Sequence, residues 1–291
     1  MSCYFVWFRG KYKQNRFQDG SSRSCVINGE TLRSRDFDEV RQFGVCWMMM
    51  IQLGHVSEVV RYPVKSMAGN TTESAYLGWH GLDGDRRFAF RRLEDKSGFP
   101  WLTASSLPVL VLYHPFGLDE STGEPLPTHV RTPAGTSFEL RGAELQNEIS
   151  ERLGSSVELM NLKHGIFDDS SISVISLATM AGISRTAEVE LDTRRFRANI
   201  VLETHDLEPF REDKWVGGTL VFGDSEPTPK VRITQRDVRC MMINLDPDTA
   251  KQDARVLKTA VRLNDNNAGV YGTVVQTGEI QVGQVVMLQM D

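Results

Sequence analysis

Short apolar stretches separated by turn residues constrain the fold of this chain more than any other feature. From residue 55 onward these stretches are rich in β-branched and aromatic residues, which are typical of strands that pack one face against a core. Such spacing predicts a sheet or a barrel. The predicted strands are 56–64, 88–90, 109–113, 129–132, 138–140 and 157–162 in the first half, and 172–175, 199–202, 219–222, 231–234, 241–245, 271–276 and 280–288 in the second.

Three segments predict helices. The first, 143–153, has leucine or isoleucine at every fourth residue and is followed by Gly154, where a C-terminal cap belongs. The second, 177–182, is short and follows Ser176, whose hydroxyl can cap it. The third, 253–263, places its apolar residues on one face. Because strands far outnumber helices, the fold class is predicted to be mainly β, of the α+β type.

The length and composition set limits on organisation and partners. A chain of 291 residues exceeds the usual size of one compact domain, so two packed units are expected. Hydrophobic residues make up 40% and charged residues 24% of the sequence, a balance typical of a globular protein with a large core. The formal net charge of −5 provides no overall attraction to nucleic acid. No nucleic-acid partner is expected, and an anionic ligand must be bound by a local group of cations.

The four cysteines are distributed unevenly. Cys3, Cys25 and Cys46 lie in the first 46 residues, whereas Cys240 stands alone in the rest of the chain. A disulfide framework for the main body is thereby excluded, which favours a reducing compartment. No Cys-x-x-Cys pair is present, so the sequence provides neither a tetrathiolate zinc site nor an iron–sulfur cluster. Any electrons that the protein uses are expected from another protein.

The N-terminal segment differs in pattern from the rest of the chain. Residues 1–47 have weak periodicity, and we treat 1–50 as an extension of uncertain origin. The longest apolar run there, 45–51, is much shorter than the about 20 residues that span a bilayer. Neither a secretory nor an organelle signal is convincing. We therefore expect no membrane span and a cytoplasmic location.

Cys240 is the first candidate for chemistry. Arg236 and Arg239 precede it, and cationic neighbours stabilise a thiolate, which is both a nucleophile and a soft metal ligand. The alternative is an inert buried cysteine, since free cysteine is among the most buried residue types. On spacing alone the inert alternative is favoured, so the surrounding motifs have to decide.

Five further residues are candidates for binding an anion. Arg197 and Asn199 lie two residues apart, on one face of an extended chain, and offer a guanidinium fork and an amide to an anionic heterocycle. Lys65, Ser66 and Arg86 suit phosphate binding as charge-assisted donors. The alternative for each cation is an ordinary surface charge, and for the arginine-rich segment a basic edge that discourages strand pairing.

The sequence Asp-Pro-Asp-Thr at 246–249 has two interpretations. Its carboxylates can bind a hard cation, but a turn in which the aspartates bond nearby backbone amides is simpler. Phosphate-binding glycine loops, His-Glu-x-x-His pairs and Gly-x-Ser-x-Gly elbows do not occur in the sequence. Their absence argues against a nucleotide-binding loop.

Taken in order, these motifs resemble one family. The segments are Tyr-Pro-Val-Lys-Ser at 62–66, Gly-Asp-Arg-Arg-Phe at 84–88, Phe-Arg-Ala-Asn-Ile-Val at 196–201, Glu-Asp-Lys-Trp at 212–215, and Arg-Cys at 239–240 followed by Asp-Pro-Asp-Thr at 246–249. As a set they resemble the MOSC family over about residues 56–288. The resemblance is to the branch with an additional N-terminal β-barrel-like domain, which includes mitochondrial amidoxime-reducing components and bacterial reductases of N-hydroxylated bases.

The resemblance implies an architecture. A MOSC β-barrel is expected at 166–291, packed with a smaller MOSC N-terminal β-barrel-like domain at 51–165.

The resemblance also implies residue roles. The cysteine equivalent to Cys240 ligates molybdenum in that branch, as the catalytic metal ligand. Positions matching the five anion-binding candidates, Lys65, Ser66, Arg86, Arg197 and Asn199, hold the molybdopterin and its phosphate. Ser170 lies in a turn that matches a cofactor-contacting loop.

The function implied is that of a molybdenum-cofactor oxidoreductase. It would remove oxygen from N-oxygenated small molecules, such as hydroxylamines or amidoximes, with electrons from a separate flavin or iron–sulfur reductase. Two alternatives stay open. One is a sulfur carrier or transferase in which Cys240 holds a persulfide, since related MOSC domains occur in molybdenum-cofactor sulfurases. The other is a non-catalytic protein that binds or delivers the cofactor.

Deleting residues 1–47 should leave thermal stability nearly unchanged, because their apolar positions follow neither the helix nor the strand period. A thermal denaturation of the full chain and the shortened chain checks this. A collapse of the melting temperature would show that the extension belongs to the core.

Overall fold

The computed structural model describes residues 49–165, 167–224 and 228–290, together with three short N-terminal strands. The strands are β1 Cys3–Phe5, β2 Cys25–Ile27, β3 Glu30–Leu32, β4 Met49–Arg61, β5 Asn70–Thr72, β6 Ser74–Gly78, β7 Gly81–Leu82, β8 Phe88–Arg92, β9 His114–Phe116, β10 His129–Arg131, β11 Ser137–Glu139, β12 Val157–Asn161, β13 Ile172–Ser176, β14 Ile200–Thr204, β15 Thr219–Phe222, β16 Lys230–Val238, β17 Asn267–Gln276, β18 Gly278–Gln281 and β19 Val285–Met290.

The helices of the described residues are few. They are α1 Ala143–Leu153, α2 Leu177–Ala187 and α3 Ala254–Asn264, with short 3₁₀ turns at Pro108–Leu112, Thr193–Phe196, Arg211–Trp215 and Met241–Asn244. Within these residues no helix is both long and apolar enough to cross a membrane. The prediction that residues 1–47 add little to the core falls mostly outside the described residues.

A closed barrel forms the larger part of the molecule. Its seven strands are hydrogen-bonded in the order β4, β14, β13, β17, β16, β15 and β19, and β19 pairs back onto β4. Only the β13–β14 pair is parallel among these neighbours. Alternate side chains of the strands fill the barrel interior, including Val56, Val174 and Phe222. The prediction of a mainly β fold is confirmed.

Barrel closure depends on a close backbone approach at Gly54. This residue lies in β4 beside an irregularity in the β4–β19 register. A Cβ atom added at Gly54 would lie 1.9 Å from the carbonyl oxygen of Glu203 in β14. Since glycine alone has no Cβ, it allows β4 to pair with both of its neighbours at this point.

A second apolar core lies beside the barrel. It joins β8, β12 and α1, whose buried residues include Phe90 and Leu145. Leu245 belongs to the same core, and Met241 and Met242 pack against it. The segment after Cys240 therefore lies where the barrel meets the second core.

The predicted division of the chain at 165/166 stays a prediction. The strand pairing crosses this division. β4 precedes residue 165 and yet belongs to the barrel. β6 likewise pairs with β18 from the end of the chain. β4 thus completes the barrel, and β6 belongs to a separate sheet with β18 and β7. Residues from β8 to β12 build most of the second core.

The predicted helices are present. α1 has the predicted bounds, and Gly154 ends it in a left-handed conformation with φ 77°. α2 is longer than predicted, and the Ser176 hydroxyl caps it by accepting a 3.1 Å hydrogen bond from the Thr179 amide. The predicted strand 280–288 is divided into β18 and β19 by a turn at Gly283, where φ is 81°.

Two strand predictions are wrong. The segment 109–113 lies in the 3₁₀ turn Pro108–Leu112, which begins at a proline that fixes φ and has no N–H for a strand ladder. The segment 241–245 lies in the turn Met241–Asn244, where Ile243 packs against α2 and α3 while the methionines face the second core. Short apolar runs of this kind do not distinguish a strand from a helical turn.

Gly54→Ala should destabilise the protein by about 1–3 kcal/mol, because the new methyl group overlaps a backbone atom that cannot move without opening the barrel. The melting temperature should fall by roughly 2–4 °C for each kcal/mol lost. Gly98→Ala is the control, since a Cβ there meets nothing within 4 Å. Equal melting temperatures for the two variants would contradict the proposed closure constraint.

Candidate functional site

Three of the predicted cofactor residues are in direct contact. Arg86 donates a 3.2 Å hydrogen bond from Nη1 to Oδ1 of Asn199 and a 3.1 Å bond from Nη2 to the carbonyl oxygen of Arg197. Arg197 in turn donates a 2.7 Å bond to the carbonyl oxygen of Met67, which comes directly after Lys65 and Ser66 in the chain. The structure thus brings the five predicted anion-binding residues into one region, at the end of β4 and the start of β14.

The backbone of this region is unusual. Ser66, Arg86 and Arg197 have φ values of 68°, 48° and 52°, in the left-handed region that residues with a Cβ seldom adopt. Each such residue costs roughly 1–2 kcal/mol relative to ordinary backbone conformations. Strain of this kind clusters at functional sites, where the side-chain direction matters more than the local energy.

Tyr62 lies between two of the arginines. The guanidinium carbon of Arg197 is 4.3 Å from the centre of the Tyr62 ring, and that of Arg86 is 5.1 Å away. Burial raises the pKa of Tyr62 to about 12 although both arginines oppose the shift, so the phenol stays neutral. This tyrosine belongs to one of the sequence motifs, but no role was predicted for it, because a cation–π contact between distant segments has no signal in local sequence.

The cations of the region differ in their charge compensation. Lys65 donates a 2.6 Å hydrogen bond to Asp168, and Arg86 pairs with the buried carboxylate of Asp85. Arg197 has no carboxylate within 4.0 Å among the described residues. Desolvation lowers the pKa of Arg197 to about 10, which still leaves the guanidinium charged at neutral pH. Arg197 is therefore the cation of this group without an ion-pair partner among the described residues, and the charges of Asp85 and Asp168 act on it only from longer range.

Ser66 and Lys65 retain donors for a ligand. Ser66 is 6% exposed, and its hydroxyl makes no hydrogen bond within the described part of the chain. Desolvation lowers the pKa of Lys65, while the charge of Asp168 opposes the shift. An ammonium group has three donors, and only one is used by Asp168.

Cys240 is exposed to solvent, at the start of the 3₁₀ turn Met241–Asn244. The burial assumed in the inert alternative is therefore wrong, and the role of the thiol stays a prediction. The two arginines expected to act as its cationic neighbours have other partners. Arg239 is buried and donates to the carbonyl oxygens of Phe196 and Ala268, at 2.6 and 2.7 Å. Arg236 lies 3.5 Å from a carboxylate oxygen of Asp213.

A chain of polar contacts connects the backbone before Cys240 to the cations. A carboxylate oxygen of Asp237 lies 2.9 Å from Nη2 of Arg239, as an ion pair whose angle does not suit a hydrogen bond. The same oxygen accepts a 2.8 Å bond from the Ser173 hydroxyl. The Ser173 amide donates to Oδ1 of Asn199 at 3.2 Å, which also accepts from Arg86. We call these five residues the polar chain.

The polar chain is buried except at Arg86, which is partly buried. Burial raises the pKa of Asp237 against the opposing charge of Arg239. Asp237, Arg239 and Ser173 were not among the predicted site residues. The Arg-Cys motif drew attention to Arg239 but not to the direction of its side chain. Side chains alternate between the two faces along a strand end, so Arg239 points inward where its neighbour Cys240 points outward.

The interpretation of 246–249 as a turn is confirmed. Oδ1 of Asp246 accepts hydrogen bonds from the amides of Asp248 and Thr249, at 3.1 and 2.9 Å. The carboxylates also hold two arginines, since Asp246 pairs with Arg195 at 2.8 Å and Asp248 with Arg194 at 2.7 Å. Within the described residues no group of three or more metal-binding side chains occurs.

Ser170 has a different environment. Its hydroxyl donates a 2.7 Å hydrogen bond to the carbonyl oxygen of Gly272 in β17, and none to the cation group. Asp168, two residues earlier in the same turn, is the residue that reaches Lys65. The turn therefore contributes a carboxylate to the region, which the sequence did not indicate.

A small cavity adjoins the cations. Its volume is about 40 Å³, which is space for roughly three water molecules. Tyr62, His114, Arg197 and Met242 are among the residues that line it. Arg197 thus has an open space beside its side chain.

A model of the MOSC domain matches residues 161–287. The chain contains a MOSC domain. Such domains generally bind a molybdenum cofactor. The matched MOSC region includes Arg197, Asn199 and Cys240, whereas Lys65, Ser66 and Arg86 precede it.

Solved structures give weaker likenesses to this chain. The YuaD protein from Bacillus subtilis has 11% identity and a TM-score of 0.46, over 84% of this chain and 99% of that one. A hypothetical protein has 11% identity and a TM-score of 0.38, over 81% and 68% of the two chains. YiiM from Geobacillus stearothermophilus has 18% identity and a TM-score of 0.31, over 42% and 55%. No curated protein matches the chain.

Arg239→Ala should destabilise the protein by about 3–5 kcal/mol, because it leaves the buried Asp237 carboxylate without its cation. Arg236→Ala is the matched control and should cost less than about 1 kcal/mol, since its ion pair is exposed. Urea denaturation measures both. Equal losses would mean that the polar chain does not stabilise the backbone before Cys240.

Proposed function

We propose that this protein is a molybdenum-cofactor oxidoreductase that reduces N-oxygenated small molecules. The observation that carries this function is the exposed thiol of Cys240 in a region that matches a MOSC domain. The polar chain begins at Arg239, the residue before Cys240, and ends at Arg86 in the group of three cations. The substrate class and a separate flavin or iron–sulfur reductase as the electron donor follow from the resemblance in the motifs.

The residues fit the chemistry of the cofactor. A thiolate is a soft ligand that suits a soft metal, and molybdopterin carries a phosphate that requires cationic donors. Cys240 is accessible for ligation, and Arg197 has a charge that no protein carboxylate balances within the described residues. When bound, the cofactor supplies the two-electron redox chemistry that removes an oxygen atom from nitrogen.

The protein side chains divide into two roles. Cys240 would hold the metal through its sulfur in the thiolate form. Arg197, Lys65 and Ser66 have donors left for the anionic parts of the cofactor. Arg86 and Asn199 are engaged with each other, and they fix the backbone of Arg197. Their contribution is to hold the direct donors in place before the ligand arrives.

A sulfur carrier is the second candidate, because an exposed free thiol is accessible to a sulfur donor. In that role the Cys240 sulfur would take the outer sulfur of a donor persulfide, whose S–S bond breaks as the donor leaves as a thiol, and would pass this sulfur to an acceptor without molybdenum. A non-catalytic carrier of the cofactor is the third candidate, and it differs by having no turnover with any electron donor.

Cys240→Ser should abolish molybdenum retention and turnover while leaving the fold intact, because a serine oxygen is a harder ligand with a much higher pKa. The change is nearly isosteric and exposed, so it costs little in packing. The measurements are metal and pterin content, circular dichroism and benzamidoxime reduction after expression in a host that makes the cofactor. Cys46→Ser is the control. Wild-type metal content and activity in Cys240→Ser would return this cysteine to an inert role.

Arg197→Ala should weaken cofactor binding by roughly 1.5–3 kcal/mol, or about one to two decades, through loss of a charge-assisted donor. Arg194→Ala is the matched control three residues away, because Arg194 is exposed and already pairs with Asp192 and Asp248. Pterin release during dialysis measures the difference. Identical retention in the two variants would exclude Arg197 from the site.

A further inference from the structure

Asp168 and Lys65 form an ion pair in which one side chain is exposed and the other is buried. The Lys65 side chain is 5% exposed, whereas that of Asp168 is 63% exposed, and their charged atoms lie 2.6 Å apart. Asp168 thus extends from a surface turn to a lysine that is otherwise enclosed. Its neighbour Asp169 is also exposed but makes no contact of this kind in the described part of the chain.

The carboxylate of Asp168 lies in the field of three cations. Burial would raise its pKa, but Lys65, Arg86 and Arg197 together hold the pKa below its usual value. Asp168 therefore stays ionised at neutral pH. It balances the charge of Lys65, while Arg197 stays unbalanced.

We propose that Asp168 is an internal competitor for the anion that the Lys65–Arg197 group binds, and that it determines which anions this site accepts. The inference rests on the proposed function, since it takes these cations as the binding site for the anionic part of the cofactor. It adds a residue that limits access to them. An incoming anion has to displace the carboxylate from Lys65 or bind beside it against its charge.

Asp168 competes effectively with a free anion because it belongs to the same chain as Lys65. A group held on the same chain has an effective concentration in the millimolar range or above, which an external ligand must exceed. The apparent affinity of the external ligand falls in proportion to the fraction of molecules in which Lys65 is free. If the contact is closed in about nine of ten molecules, its removal strengthens anion binding about tenfold.

Charge selectivity follows from the same exchange. A monoanion that replaces Asp168 at Lys65 supplies the same single negative charge, so the exchange gains little binding free energy. A phosphate dianion supplies a second charge, which Arg197 can balance. The site should therefore discriminate in favour of phosphate-like dianions, and the discrimination should weaken when Asp168 is neutral.

Calorimetric titration with inorganic phosphate tests the competition, using the full chain purified without cofactor at low and constant ionic strength. Asp168→Asn is expected to bind phosphate about tenfold more tightly than wild type, since the amide has nearly the same shape and no charge. Asp169→Asn is the matched control with the same change in net charge, and it should alter the affinity less than about twofold because its charge is screened by solvent. Lys65→Met combined with Asp168→Asn should remove the gain.

The outcomes separate this inference from the proposed function. Equal affinities for Asp168→Asn and Asp169→Asn, or no phosphate binding by any variant, would overturn the competitor role. A gain in Asp168→Asn that persists without Lys65 would also overturn it. If wild type loads molybdenum and pterin while Asp168→Asn binds phosphate no more tightly than wild type, the function stands and the inference fails. If the gain occurs in a protein that never loads the cofactor, the inference stands and the function fails.

Discussion

The ion pair between Arg239 and Asp237 is the interaction on which the candidate site depends. Both side chains are buried, and such a pair is tolerated only when its remaining donors and acceptors are used. Carbonyl oxygens of two other segments and the Ser173 hydroxyl use most of them. The pair therefore fixes β16 against β13 and β17 and sets the position from which Cys240 reaches solvent.

The same network explains why the thiol and the cations belong to one region although they are far apart in sequence. Arg239 contacts the carbonyl of Phe196, the residue directly before Arg197. The polar chain continues through Asn199 to Arg86. The segment before Cys240 is thus hydrogen-bonded to the segment before Arg197. Ser66, Arg86 and Arg197 each adopt a left-handed backbone conformation, which sets the direction of their side chains. A rigid, pre-arranged group of donors loses little entropy on binding a ligand.

The sequence allowed local features of the fold to be predicted wherever one segment contains the whole signal. Helix α1 and its Gly154 cap are of this kind, as is the Asp246 turn. The strands 109–113 and 241–245 were wrong because packing against two different cores decides between a strand and a 3₁₀ turn. Barrel closure by β4 was missed, since pairing with β19 joins the two ends of the described region.

For the site, motifs indicated residue types that bind an anion and a metal, but not how their charges are balanced. The contacts of Asp168 and Asp237 connect segments about 100 and 60 residues apart, and no local pattern encodes them. Tyr62 illustrates the same limit, because its two arginine neighbours come from the segments that lead into β8 and β14. From composition it followed only that an acidic protein needs a local group of cations to bind an anionic ligand.

Molybdenum and pterin content, measured together on the wild-type protein purified from a host that makes the cofactor, is the most direct test of the central claim. Equal amounts of the two, close to stoichiometric with the chain and lost when the protein is denatured, are the result expected of a cofactor bound at Cys240 and the cations. A folded protein from such a host that contains neither molybdenum nor pterin would contradict it.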